Sequence, residues 1–145
     1  MDARYRLASM REVRSREQRV RRVDLAGQIG DARALAVEVD RATQRVAQLR
    51  AALAAAVEDR AGALARGTPI AAMVQRERYV QKLRRDLDAA QGELARAEAK
   101  HLGQLGLVDA ARARLAHARA ERELIERHFA TWRAARQKLA ERRED

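Results

Sequence analysis

The chain has no cysteine, one proline, four aromatic side chains and no long apolar run. Without cysteine there is neither a disulfide framework nor a thiolate metal site. The longest apolar run, Ala51 to Val57, falls far short of the roughly 20 residues that a membrane-spanning helix requires. Residues 1–6 lead into no hydrophobic segment, so no signal peptide is expected and the expected compartment is the cytoplasm. Tyr5, Tyr79, Phe129 and Trp132 are the only aromatics among 145 residues. That is too few bulky side chains for a layered globular core.

What remains is alanine, leucine, valine, arginine and glutamate. Apolar residues make up 47% of the chain, with alanine dominant, and charged residues make up 36%. These are strong helix formers, and the mixture is that of a long helix or coiled coil. The formal net charge is +10, and arginine outnumbers lysine 28 to 3. Such a balance suits nucleic acid, anionic lipid or an acidic protein cavity as partner, without choosing among them.

The single proline sits in Arg66-Gly67-Thr68-Pro69, near the middle of the chain. Glycine readily takes the left-handed conformation that ends a helix. Threonine can cap the free N–H groups that begin one, and proline suits the first helical position. The stretch therefore predicts one helix over about 3–65, a turn at 66–69 and a second helix over about 69–142. The expected fold is all-α, a long antiparallel two-helix coiled-coil hairpin forming a single domain over residues 1–145.

Apolar residues spaced alternately by three and four mark the seam of such a pair. In the first arm the series runs Leu25, Gln28, Ala32, Leu35, Val39, Ala42, Val46, Leu49, Leu53, Ala56. In the second it runs from Met73 through Val80, Leu83, Leu87, Ala90, Leu94 and Ala97 to Val108, Ala111, Leu115 and Ala118, then on to Ile125, Phe129, Trp132 and Leu139. The two series are mirror images about Thr68, so Val46 is expected to face Ala90, Leu49 to face Leu87, and Ala56 to face Val80. Before Leu25 the apolar residues change phase. Leu7, Met10, Val13, Val20 and Val23 form a looser stripe interrupted by Glu17, as a stutter would produce. Gly27, Gly30, Gly103 and Gly106 gather with the polar seam residues Gln28, His101 and Gln104. Each helical glycine costs about 0.5–1 kcal/mol against alanine, which predicts a locally weak segment.

Glu98 and His101 have the spacing used in carboxylate-bridged metal centres of helical bundles, but such centres need further copies on neighbouring helices. Here the motif occurs once, with Leu35 across the seam, so it reads as a weak seam layer. His117 and His128 have no ligand-like partner at helical spacing. No phosphate loop, metalloprotease helix or strand-borne nucleophile motif is present. No catalytic residue, metal or cofactor is expected, and a two-helix hairpin offers no enclosed pocket for a reaction.

Residues 1–22 hold eight arginines against three acidic residues, and residues 119–145 hold eight basic against six acidic. In a hairpin both termini share one end, which therefore collects most of the excess positive charge. Tyr5, Phe129 and Trp132 gather at the same end as an expected aromatic plug, with Phe129 across from Leu7. Tyr79 precedes the seam residue Val80 and is expected on a flank near the turn, where an exposed aromatic makes a contact anchor.

A basic start (Tyr5 to Arg14) leads into an Ala/Leu-rich coil and a turn. Then come Gln75-Arg76-Glu77-Arg78-Tyr79-Val80-Gln81-Lys82-Leu83, Ala/Glu/Arg heptads, and the closing stretch Ala120 to Arg127. In this order of features the chain resembles the FliJ family of flagellar type III export proteins and its injectisome counterpart, the SctO (YscO) family. The resemblance covers nearly the whole chain and rests on soft coiled-coil motifs. It implies a non-enzymatic central stalk whose terminal end enters the pore of a hexameric export ATPase. The expected ring contacts are Arg4, Arg11, Arg14, Arg16, Arg133 and Arg136. It also implies that the other end reaches the cytoplasmic part of a membrane export gate, with Tyr79 and Leu83 as gate contacts, and that export chaperones are further partners. The implied location is cytoplasmic, peripheral to the inner membrane at the secretion apparatus. The alternative is a basic coiled coil that binds nucleic acid or serves as a structural scaffold. Mixed shaft charges and the lack of a compact recognition module count against nucleic acid.

Overall fold

The computed structural model describes residues 4–144. Two α-helices pack antiparallel as a helical hairpin: α1 over Ala8–Ala65 and α2 over Ile70–Glu144, with no strand among the described residues. The sequence places α1 from about residue 3; residue 3 lies outside the described residues, and Arg4 and Tyr5 are not helical. Instead the Ala8 N–H donates to the Tyr5 carbonyl at 3.1 Å, a single turn that precedes the helix.

The turn between the helices is made by backbone. Gly67 has φ of 70°, the only positive value among the described residues, and its N–H donates to the Leu64 carbonyl at 3.1 Å. The Thr68 N–H donates to the Ala63 carbonyl at 3.2 Å. These two bonds together form a Schellman motif, which satisfies the last carbonyls of α1. Thr68 thus contributes its N–H to the end of α1. Its hydroxyl makes no hydrogen bond among the described residues, so the expected side-chain cap on α2 is not formed. The first bond of α2 runs from the Met73 N–H to the Pro69 carbonyl at 3.1 Å, which places Pro69 just before the helix.

The described chain divides into two compact units, and the division falls after Gly30 in α1 and after Gln104 in α2. In both helices this is the glycine-bearing stretch. None of Gly27, Gly30, Gly103 and Gly106 has a neighbouring atom within 4 Å of where a Cβ would stand. Close packing therefore does not require these glycines.

The turn unit, residues 31–104, has an apolar core of Val46, Leu49, Ala56, Val80, Leu83 and Ala90, with Leu53, Leu87 and Leu94 against it. These are the mirror-related residues read from the sequence. Val80 is fully buried, and burying such a side chain contributes about 1.5–3 kcal/mol. Two cross-helix ion pairs bracket this core towards the turn: Arg60 with Glu77 at 2.6 Å and Arg76 with Asp59 at 3.1 Å.

The terminal unit comprises residues 4–30 and 105–144 as described. Val108, Ala111, Leu115 and Ala118 of α2 are buried here, as expected. The expected phase change in α1 does not occur. Met10, Val13, Val20 and Val23 are 41%, 52%, 63% and 73% exposed. The inward positions are Leu7, Arg11, Arg14, Gln18, Arg21 and Leu25, which continue the four-three spacing unbroken. The frame persists while its residues turn polar. Partners on α2 make this possible, since Glu126, Glu121 and Arg122 bond to Arg11, Arg14 and Gln18 respectively. Leu139, expected in the seam, is 54% exposed.

Candidate interaction surfaces

The inward face of α1 in the terminal unit positions its cations for bonds across to α2. Arg11 Nε donates to Glu126 Oε1 at 2.7 Å. This bond holds the Arg11 pKa above its ordinary value, against the opposing effect of burial, and lowers that of Glu126. Arg14 Nη1 donates to Glu17 Oε2 at 3.0 Å and to Glu121 Oε2 at 2.5 Å. His117 Nε2 stands 3.2 Å from the other oxygen of Glu121. Arg122 Nη1 donates to the buried Gln18 Oε1 at 2.7 Å, and Arg114 reaches Asp24 at 3.3 Å. A polar seam is tolerable only when its groups are paired, and no buried side-chain polar atom lacks a partner among the described residues.

At the end of this seam the aromatic residues form the expected cluster, with Tyr5 at its centre. The Tyr5 ring lies 5.0 Å from Phe129, edge to face, and 5.2 Å from Trp132. Its hydroxyl is 2.7 Å from His128 Nδ1. The imidazole nitrogen accepts the O–H or donates to the phenol oxygen according to the tautomer. The Arg11 guanidinium covers the Phe129 ring at 4.0 Å, a cation–π contact. Phe129 therefore packs on Tyr5 and under Arg11.

The six arginines expected as ring contacts divide by environment. Arg11 and Arg14 are half-buried and engaged within the unit. Arg4, Arg16, Arg133 and Arg136 are exposed. Arg16 pairs with Glu12 at 2.6 Å on the surface, while Arg133 and Arg136 stand 6.0 and 5.9 Å from the Phe129 and Trp132 rings. Surface pairs of this kind contribute little to stability and leave the charge available to a partner.

The two expected gate contacts also divide. Tyr79 is 52% exposed on the surface of the turn unit. Leu83 is 6% exposed and belongs to the core, so Tyr79 alone of the pair presents a surface. Beside it, Glu77 accepts from Gln81 at 2.9 Å and from Arg60, and the two bonds, that from Gln81 foremost, hold the Glu77 pKa below its ordinary value.

Among the described residues no group of three or more histidine, aspartate or glutamate side chains could hold a metal ion. Among the described residues no helix is long and apolar enough to cross a membrane. The polar seam of α1 escaped the sequence reading because Met10, Val13, Val20 and Val23 advertise a competing stripe. The signal that finds it is the mirror rule carried past Leu25, which sets Gln18 across from the buried Ala118 and Arg21 across from the buried Leu115. No family model matches the chain, and no curated protein or solved structure matches it.

Proposed function

We propose that this chain is the non-enzymatic central stalk of a type III protein export apparatus. Its terminal unit seats in the pore of a hexameric export ATPase, and the hairpin links that ring to the cytoplasmic part of the export gate. The observation that carries the reading is the make-up of the terminal unit. An aromatic cluster tied to a paired polar seam holds Tyr5 and the first turns of α1 against α2, while Arg4, Arg16, Arg133 and Arg136 remain exposed. A stable basic end suits a ring lined with acidic or polar groups. The resemblance to the FliJ and SctO (YscO) families in feature order supports the same assignment. Hydrolysis belongs to the ring, and the chain acts as an asymmetric element that each subunit contacts differently. Tyr79 is the gate-facing anchor, export chaperones are further partners, and the place of action is the cytoplasmic side of the inner membrane.

Reversing Arg4, Arg16, Arg133 and Arg136 to Glu should weaken capture of the purified ATPase at least about tenfold while helicity stays unchanged. Tyr79→Ala should weaken capture of the gate's cytoplasmic domain and leave ATPase binding intact. Normal binding of both partners by both variants would remove this reading. Arg11 and Arg14 are unsuitable probes, because their loss breaks bonds within the unit.

A further inference from the structure

The turn unit carries a second polar surface, well away in sequence from Tyr79. An open groove runs between the helices there, with the half-buried Ala42 and Ala97 as its floor. Its rim is built from Glu38, Arg41 and Arg45 of α1 and from Glu93, Arg96 and Lys100 of α2. All six are exposed, and none makes a hydrogen bond or ion pair among the described residues. The same unit does pair its charges across the helices elsewhere, at Arg60–Glu77 and Arg76–Asp59. At the middle of this groove it sets two like charges together, Arg41 and Arg96. By the mirror relation about Thr68, Arg41 and Arg96 stand at nearly one level on opposite sides of an alanine floor. Lys100 and Glu38 lie towards one end of the groove, and Arg45 and Glu93 towards the other.

We propose that this groove is the docking site for an acidic amphipathic helix of a partner protein, which lies against Ala42 and Ala97 as a third helix. Arg41 and Arg96, exposed and unpaired on opposite helices, offer two guanidinium groups to an entering carboxylate, and arginine binds carboxylate in a two-pronged geometry. Alanine on the floor lets the incoming helix approach closely, and its flanking carboxylates reach the rim as flanking charges do in coiled coils. Glu38 and Glu93 stand one towards each end, on opposite helices and beside Lys100 and Arg45. These two carboxylates disfavour a continuous polyanion, whose backbone carries a negative charge at every step. A second copy of this chain is a poor occupant, because each copy carries +10. This proposal does not rest on the stalk reading and stands or falls separately.

The test uses the full chain and a fluorescently labelled helical peptide of about three heptads, with Ala and Leu at the seam positions and Glu at the flanking ones. Anisotropy should show binding that weakens as salt rises. Arg41→Gln with Arg96→Gln should reduce affinity at least about tenfold, whereas Arg19→Gln with Arg22→Gln, an equal charge change in the terminal unit, should leave it within about twofold. Circular dichroism should show both variants fully helical. Absence of binding, equal loss in the two double variants, or equal affinity for a scrambled peptide of the same composition would overturn the proposal. So would a DNA duplex that outcompetes the peptide from the groove.

Discussion

The two units of this hairpin obey one spacing rule with different chemistry. In the turn unit the inward positions are Val46, Leu49, Leu53, Ala56, Val80, Leu83 and Ala90, and cohesion comes from apolar burial. In the terminal unit α1 offers Arg11, Arg14, Gln18 and Arg21 at the corresponding places, and cohesion comes from cross-helix bonds and an aromatic cluster. The spacing decides which residues face inward. The residues decide which conditions the interface withstands. Apolar burial is insensitive to pH, whereas the paired seam depends on ionised carboxylates.

The largest effect is expected where the core is apolar. Leu83→Ala should lower unfolding stability by about 2–4 kcal/mol, measured by urea denaturation. A loss well below about 1 kcal/mol would mean that the apolar core is not what separates the turn unit from the terminal one. Next come the glycines at the boundary between units. Changing Gly27, Gly30, Gly103 and Gly106 to Ala should stabilise by about 0.5–1 kcal/mol each, since each added methyl enters open space. In the parent chain, amide exchange should be fastest within the helices at these two stretches. Uniform protection along α1 and α2 would erase the boundary.

At the turn the backbone and side-chain roles separate. Gly67→Ala places a Cβ at positive φ and should cost about 1 kcal/mol. Thr68→Ala should cost no more than a few tenths, because the residue contributes only its N–H. The smallest effect is a test of pH. Glu126 has a native pKa below its ordinary 4.5 because Arg11 donates to it. Its stabilising contribution is therefore complete above about 4.5 and is lost as pH falls through the lowered native value. Glu126→Gln should flatten that part of the acid limb in a melting-temperature series, while the acid response of the turn unit, set by Glu77, remains. An unchanged acid limb would break the distinction between the units.

Much of this architecture is legible in the sequence. The lone proline beside a glycine marks the turn, and the mirror relation of Val46 to Ala90 and Ala56 to Val80 sets the register. Both follow from local propensity and spacing. Three features were not legible for physical reasons. Arg11, Arg14 and Gln18 are inward because Glu126, Glu121 and Arg122 satisfy them across the seam, a long-range condition that hydropathy does not register. Thr68 has the right side chain for a cap, but the Schellman bonds engage its backbone. Leu83 sits in a motif that suggests a contact surface, yet the heptad claims it for the core.

The mirror arrangement about Thr68 also orders events in time. Arg60 and Glu77 are 17 residues apart in the chain, whereas Tyr5 and His128 are 123 apart. Loop-closure entropy grows with that separation, so pairs near the turn form at the least entropic cost, and each closed layer shortens the loop to the next. The hairpin should then close like a zipper from Gly67 outward, with the aromatic cluster last. Trp132, the only tryptophan, sits in that cluster and serves as its clock. Its fluorescence change on refolding should lag behind the growth of helical circular dichroism, and simultaneous signals would show that the two ends of the register close together.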